Sequence, residues 1–175
     1  MALATLTKSG RAAIAAAIAN EKLYLAWGSG DVSWDEEGAT LPSLVNATAL
    51  VAEVGRRIVS SVGFVTPDDA GGIVVPVSQG ASGEVQEVRY KTSTTPTPYL
   101  YVLTNFDFAD AANAVIREMG VFMGGSPVEG VPPGQRYFLP AEIADPGLLL
   151  AAQIIIPSIN RSPSVRQSVE FVLPI

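Results

Sequence analysis

Carboxylates are the residues best placed to do chemistry in this chain of 175 residues, because it holds no histidine and no cysteine. Four of them, Asp31, Asp35, Glu36 and Glu37, crowd into one stretch. Oxygen ligands of this kind hold Ca²⁺ when acids alternate around a central glycine and end in a bidentate glutamate. That spacing is missing, so the stretch reads as a solvated acidic loop and no metal is assigned. A glycosidase-type pair can be drawn from any 17 acidic residues, so their number alone carries no information. Without His the commonest general base, metal ligand and neutral-pH switch are gone. Without Cys there is no thiolate nucleophile and no disulfide. Lys8 and Ser9 are neighbours on an expected helix and do not face each other. Gly28-Ser29-Gly30 lacks the further glycine and the Lys-Ser/Thr of a phosphate-cradling loop, and acidic residues follow it. The expectation is a non-enzymatic chain with no catalytic residue and no cofactor.

Six aromatic residues, Trp27, Trp34, Tyr99, Tyr101, Phe106 and Phe108, could stack on a sugar ring. Rings of this type more often anchor a core or an interface. Trp34 lies among polar residues and reads as an exposed contact of the hot-spot type. The candidate protein-contact residues are therefore Trp34 with Asp35, Glu36 and Glu37, and Pro132, Pro133 and Arg136 in the Gly/Pro-rich stretch Gly124–Arg136. A carbohydrate- or receptor-binding β module is the alternative reading.

Composition agrees with contact-making. Hydrophobic residues make up 48% and charged residues 16%, against about 25% charged in ordinary soluble domains. A chain this poor in charge is expected to hide surface against neighbours, since charge is depleted at interface cores. The formal charge is −6, and the closest thing to a basic cluster is the pair Arg56-Arg57. Nucleic acid needs clustered cations and is not an expected partner. Lys8, Arg11 and the alanine-rich run after them lack the core and cleavage site of a signal peptide. No segment reaches 18 apolar residues, so no membrane partner is expected.

The elements that must position these residues are read from periodicity. Residues 7–20 read as a helix capped by Thr7, with Ile14 and Ile18 on one face. A strand follows at Leu23–Trp27, then the Gly28–Asp31 turn and a polar loop to residue 43. Leu44, Leu50, Val51 and Val54 predict a second helix within 43–55, ended by Gly55. Strands are expected over Ile58–Val65, Ile73–Val77 with an edge-type Pro76, Glu84–Tyr90, Tyr99–Phe108, Tyr137–Leu139, Leu148–Ile156 and Val165–Leu173. Ala114–Met123 is open between helix and strand, with Gly120 and the β-branched pair Val115-Ile116 arguing for strand. A turn is expected over Gln79–Gly83, and Leu148–Ile156 reads as a buried strand. The fold class is α+β, with two N-terminal helices packed on a mostly antiparallel β-sheet or sandwich, in a single structural domain spanning 1–175.

Several stretches, taken in order, carry a resemblance. They are Leu6-Thr7-Lys8-Ser9-Gly10-Arg11 with Leu25-Ala26-Trp27-Gly28-Ser29-Gly30-Asp31, then Ala49-Leu50-Val51-Ala52-Glu53-Val54-Gly55-Arg56-Arg57. Next come Ile116-Arg117-Glu118-Met119-Gly120-Val121-Phe122 and Ile156-Pro157-Ser158-Ile159 with the strand from Val169. Together they resemble phage tail-collar and tail-fibre N-terminal domains. The resemblance implies a second helix at Ala49–Val54, a strand at Ile116–Phe122 and a closing proline-centred hairpin. It also implies a structural component of a bacteriophage tail, whether baseplate, collar or fibre-docking subunit. Its expected partners are other tail proteins and copies of itself. Its expected place is the virion tail, with assembly in the host cytoplasm. A long fibrous region usually follows these motifs, and the acidic loop around Trp34 is not part of the pattern.

Overall fold

The computed structural model describes residues 4–79 and 84–175. In chain order the elements are α1 (Lys8–Ala19), β1 (Leu23–Gly28), β2 (Glu53–Ile58), β3 (Ser61–Pro67), β4 (Ile73–Gln79), β5 (Glu84–Ser93), β6 (Tyr99–Phe106), β7 (Val115–Met123), β8 (Ser126–Pro127), β9 (Tyr137–Phe138), β10 (Ile143–Asp145), β11 (Leu148–Asn160) and β12 (Gln167–Pro174). The expected turn after Gln79 lies outside the described residues. The fold is mostly β: two five-stranded sheets, ordered β11-β7-β1-β2-β9 and β12-β6-β3-β5-β4, and a small β10-β8 pair.

The chain divides into two compact units. The first is assembled from Met1–Asn20, Ser60–Leu103 and Glu170–Ile175. Its helix α1 begins where the Thr7 side chain accepts a hydrogen bond from the Gly10 amide at 3.1 Å. Alanine-rich sequence favours the helix, yet α1 fully buries only Ala15. The alternating strands bury Val65, Leu100 and Val102 completely, with Tyr90 beside them. Pro76 falls on β4, the edge strand, where proline is tolerated.

The second unit comprises Glu21–Val59 and Thr104–Val169. Strands β1 and β7 are central, antiparallel, and buried along almost their whole length. Trp27 stacks on Phe106 with ring centroids 3.6 Å apart, and both are fully buried. The Arg161 guanidinium lies 4.9 Å from the Trp27 ring and donates to the carbonyls of Val165 and Asp107. A cation this deep is tolerable because carbonyls and the ring face replace its water. Tyr24, Ala26, Phe122 and Phe138 form a second cluster on this sheet.

Four expectations need correction. Among the described residues there is one α-helix, not two: residues 43–52 run through turns and bends, and Glu53–Ile58 pairs with β1 as a strand. Strand pairing of Gly55, Arg56 and Arg57 with Trp27, Ala26 and Leu25 overrides the local helical spacing. The strand expected over Ile58–Val65 breaks at Val59-Ser60 into the end of β2 and the start of β3. Strand β11 is not buried: it is the edge of its sheet, with Leu148 and Ile156 more than half exposed. Nor is there a closing hairpin, since β11 and β12 belong to different sheets.

Candidate functional site

The longest excursion in the second unit joins β1 to β2, from Ser29 to Ala52, and contains only one short 3₁₀ turn, Val32–Asp35. Loops of this length inside compact proteins are commonly functional. This arm carries Val32, Leu41, Val45 and Val51 exposed to solvent, Val45 at 89%. Glu36, Glu37 and Pro42 are exposed beside them. Four apolar side chains on one irregular segment are what a docking surface presents and a solvated linker does not.

Two neighbouring residues of β7 pin the arm. Arg117 holds its beginning: Nε donates to Asp35 Oδ2 at 2.8 Å, and a second guanidinium nitrogen donates to the Ser29 carbonyl at 3.0 Å. Glu118 holds its end, accepting from the amides of Val51 at 3.0 Å and Ala52 at 2.8 Å. Consecutive residues of a strand point to opposite faces. The arm is therefore fixed on one face of the sheet at its start and on the other at its close. Glycine makes room for both clamps. A Cβ at Gly28 would stand 2.3 Å from the Glu118 carboxylate. A Cβ at Gly30, whose φ is +54°, would stand 2.4 Å from the Trp34 ring.

Trp34 is thus not the exposed contact that its polar neighbours suggest. It is 6% exposed, folded over Gly30 and against Arg117. Its part is to brace the arm from beneath. Asp31 caps the 3₁₀ turn, accepting from the Ser33 amide at 2.9 Å and the Ser33 hydroxyl at 2.8 Å. These two bonds hold its carboxyl below the usual range. Asp35 is likewise held low, chiefly by the Arg117 hydrogen bond. Two of the four clustered carboxylates are therefore engaged, Asp31 within the arm and Asp35 with Arg117 of β7, while Glu36 and Glu37 face solvent.

The second expected contact region, Gly124–Arg136, includes β8 and then exposes Pro132 and Pro133. Arg136 is exposed, with one guanidinium nitrogen 3.3 Å from the Val59 carbonyl. Both regions lie in the second unit. The next residue, Tyr137, is pushed up to about 12 by burial and by the Asp110 charge. Arg56 pairs with Glu53 at 2.7 Å and Arg57 pairs with Asp110, so neither offers a free basic surface. Trp27 and Phe106 are core residues, so a sugar-binding platform built on them does not form. Among the described residues no three acidic groups converge on a common point, and no helix is long and apolar enough to cross a membrane.

The clamp on Arg117 and Glu118 was not recognised in the sequence as a structural device. Its signal was there: an adjacent pair of opposite charges inside an otherwise apolar strand. Charges almost never go into such a strand unless paired.

The chain is mostly β, and its longest irregular segment is held at both ends and exposes four apolar side chains, features that suit a structural protein. Residues 3–175 match the family described as "Baseplate wedge 3 tail fiber network component". The chain belongs to this family: it is a structural protein of the phage tail baseplate, part of the virion, and not an enzyme. Membership in a baseplate network implies contacts with other tail proteins. No curated protein matches the chain.

Proposed function

We propose that this baseplate protein is a fibre-docking subunit, that the arm Ser29–Ala52 and the loop Gly124–Arg136 are its contact surfaces, and that it also packs against copies of itself. One observation carries the reading: the arm exposes Val32, Leu41, Val45 and Val51 while its ends are held by Arg117 and Glu118. A preorganised apolar surface binds without the ordering cost of a floppy loop. Exposed Glu36 and Glu37 supply charge at the rim, where it steers encounter. Pro132, Pro133 and Arg136 offer a second, less apolar surface. Trp34 and Asp35 support the arm and do not touch the partner. We take the whole span 1–175 as one structural domain, because each unit is built from non-contiguous segments.

The test is incorporation. Tails assembled without the wild-type chain are supplied with Leu41→Asp/Val45→Asp, and copies per particle are counted by quantitative mass spectrometry. Incorporation should fall at least tenfold while the melting temperature stays within about 2 °C, because both side chains are exposed. Normal incorporation of a folded variant would sink the assignment of the arm.

A further inference from the structure

The first unit holds a feature that the docking arm does not use. Beside α1 lies a groove of about 1300 Å³, closed by Thr66-Pro67, Pro96–Tyr99 and Pro174-Ile175. Small-molecule sites run to about 300–1000 Å³, so this space suits a stretch of polypeptide. Its walls are apolar, with Ala12 and Ala16 from α1 facing Pro67, Pro98 and Tyr99. Its rim carries Lys8 and Arg11, and no lining side chain is acidic. Arg11 donates to the Ile175 carbonyl at 2.8 Å. The helix itself is undercovered: Ala15 is its only fully buried residue, while Ile14 is 40% exposed and the preceding Leu6 48%. Helices of this length owe their stability to packing, and α1 has little of it.

We propose that this groove receives the acidic arm segment Glu36–Ser43 of a second copy of the chain. The inference deepens the docking reading above and rests on it. Charge complementarity selects the occupant. At −6, two copies repel one another except where local charges oppose. Lys8, Glu36 and Glu37 form no ion pair among the described residues, while Arg11 spends one guanidinium nitrogen on the Ile175 oxygen and keeps the rest of its charge at the rim. Beyond the two glutamates the segment continues as Gly38-Ala39-Thr40-Leu41-Pro42, with Leu41 exposed to enter the apolar floor. Pro42 restricts its own backbone and favours an extended residue before it, which lowers the ordering cost. Fully extended, Glu36–Ser43 reaches at most about 29 Å. Arm into groove is a head-to-tail contact, so it builds a ring or an open chain.

The experiment compares wild type, Lys8→Glu/Arg11→Glu and Glu36→Lys/Glu37→Lys by native mass spectrometry and sedimentation velocity. Wild type should form oligomers whose apparent Kd weakens at least tenfold between 0.05 and 0.5 M salt. Each charge reversal alone should abolish them; because Lys8→Glu/Arg11→Glu also removes the Arg11 bond to Ile175, Lys8→Glu alone is run beside it and should weaken association at least tenfold with the melting temperature unchanged. A glutamate at position 8 is compatible with the helix N-terminus. An equimolar mixture of the two reversed variants should recover association, because the reversed groove meets the reversed arm. A monomeric wild type at 100 μM, oligomers indifferent to either reversal, or no recovery on mixing overturns the inference. Tail incorporation separates it from the reading beneath it. If arm reversal blocks incorporation and groove reversal does not, the arm docks elsewhere and only the groove assignment falls. If self-association obeys the charge swap but arm-reversed chains enter tails normally, fibre docking by the arm falls and the groove stands.

Discussion

Replacing Glu118 by glutamine keeps the side chain's shape and removes its charge. The carboxylate is 3% exposed and accepts two backbone amides, Val51 at 3.0 Å and Ala52 at 2.8 Å. A hydrogen bond to a charged group contributes roughly 1.5–3 kcal/mol and a neutral one about 1 kcal/mol. Glutamine retains one acceptor, now neutral, and turns an NH₂ donor toward the other amide. One bond is lost and the other weakened, a gross cost of about 3–4 kcal/mol. Relief from burying a charge offsets part of this, leaving a net cost of about 2 kcal/mol. For a chain of this size that lowers the melting temperature by about 4–8 °C. The local effect is sharper. If the 2 kcal/mol falls on opening of the arm's end, exchange of the Val51 and Ala52 amides accelerates about 30-fold. Hydrogen exchange read by NMR reports both amides directly, with β7 amides as the internal control. Exchange at the wild-type rate at both positions would refute the clamp, whatever happened to the melting temperature.

Three further outcomes follow from the same geometry. Gly28→Ala places a methyl group 2.3 Å from the Glu118 carboxylate; calorimetry should show a loss of stability of about 1–3 kcal/mol, and a neutral substitution would mean that the carboxylate is not held there. Trp34→Ala removes a buried ring; it should cost about 3–5 kcal/mol and expose residues 31–49 to protease, whereas a variant as stable and resistant as wild type would return Trp34 to the surface. Asp35 has a carboxyl lowered chiefly by its bond to Arg117; its contribution is therefore complete above about pH 4 and is lost as pH falls through the depressed folded value. Trp34 emission should shift to the red in that acid range, and Asp35→Asn should show the loosened state already at neutral pH. An acid response identical in wild type and variant would exclude the Asp35–Arg117 pair as its source.

The parts of this fold visible in the sequence are those decided by near neighbours. Thr7 ahead of an alanine-rich run yields α1, and strong alternation from Tyr99 yields β6. The errors share a different cause. The spacing of Leu44, Leu50, Val51 and Val54 is helical, but the amides of Val51 and Ala52 are claimed by a carboxylate 67 and 66 residues away. Trp34 has polar neighbours in sequence, yet its ring packs over a glycine whose positive φ no hydropathy window registers. Leu148–Ile156 is apolar enough for a core strand, and its place at a sheet edge depends on topology alone. The acidic stretch stood out as a contact candidate from its composition. Which of its side chains are exposed and which are buried depended on Arg117 and Glu118.

The placement of charge links the composition to the assembly. Charged residues are only 16% of the chain, and Arg56, Asp110, Arg117, Glu118 and Arg161 are spent in its interior. The surface is thus poorer in charge than the composition states, while Val32, Val45, Val51, Leu148, Ile156 and Val165 are each more than half exposed. Buried pairs of this kind add little net stability over apolar replacements, because desolvation offsets their attraction. What Arg117 and Glu118 provide is position: they hold an arm that would otherwise sample many conformations. A protein that uses scarce charges to fix the shape of its surface, and leaves apolar groups facing outward, is organised for coverage by its neighbours. Its place in a baseplate network is shown by its sequence family, and the outward-facing apolar groups agree with it.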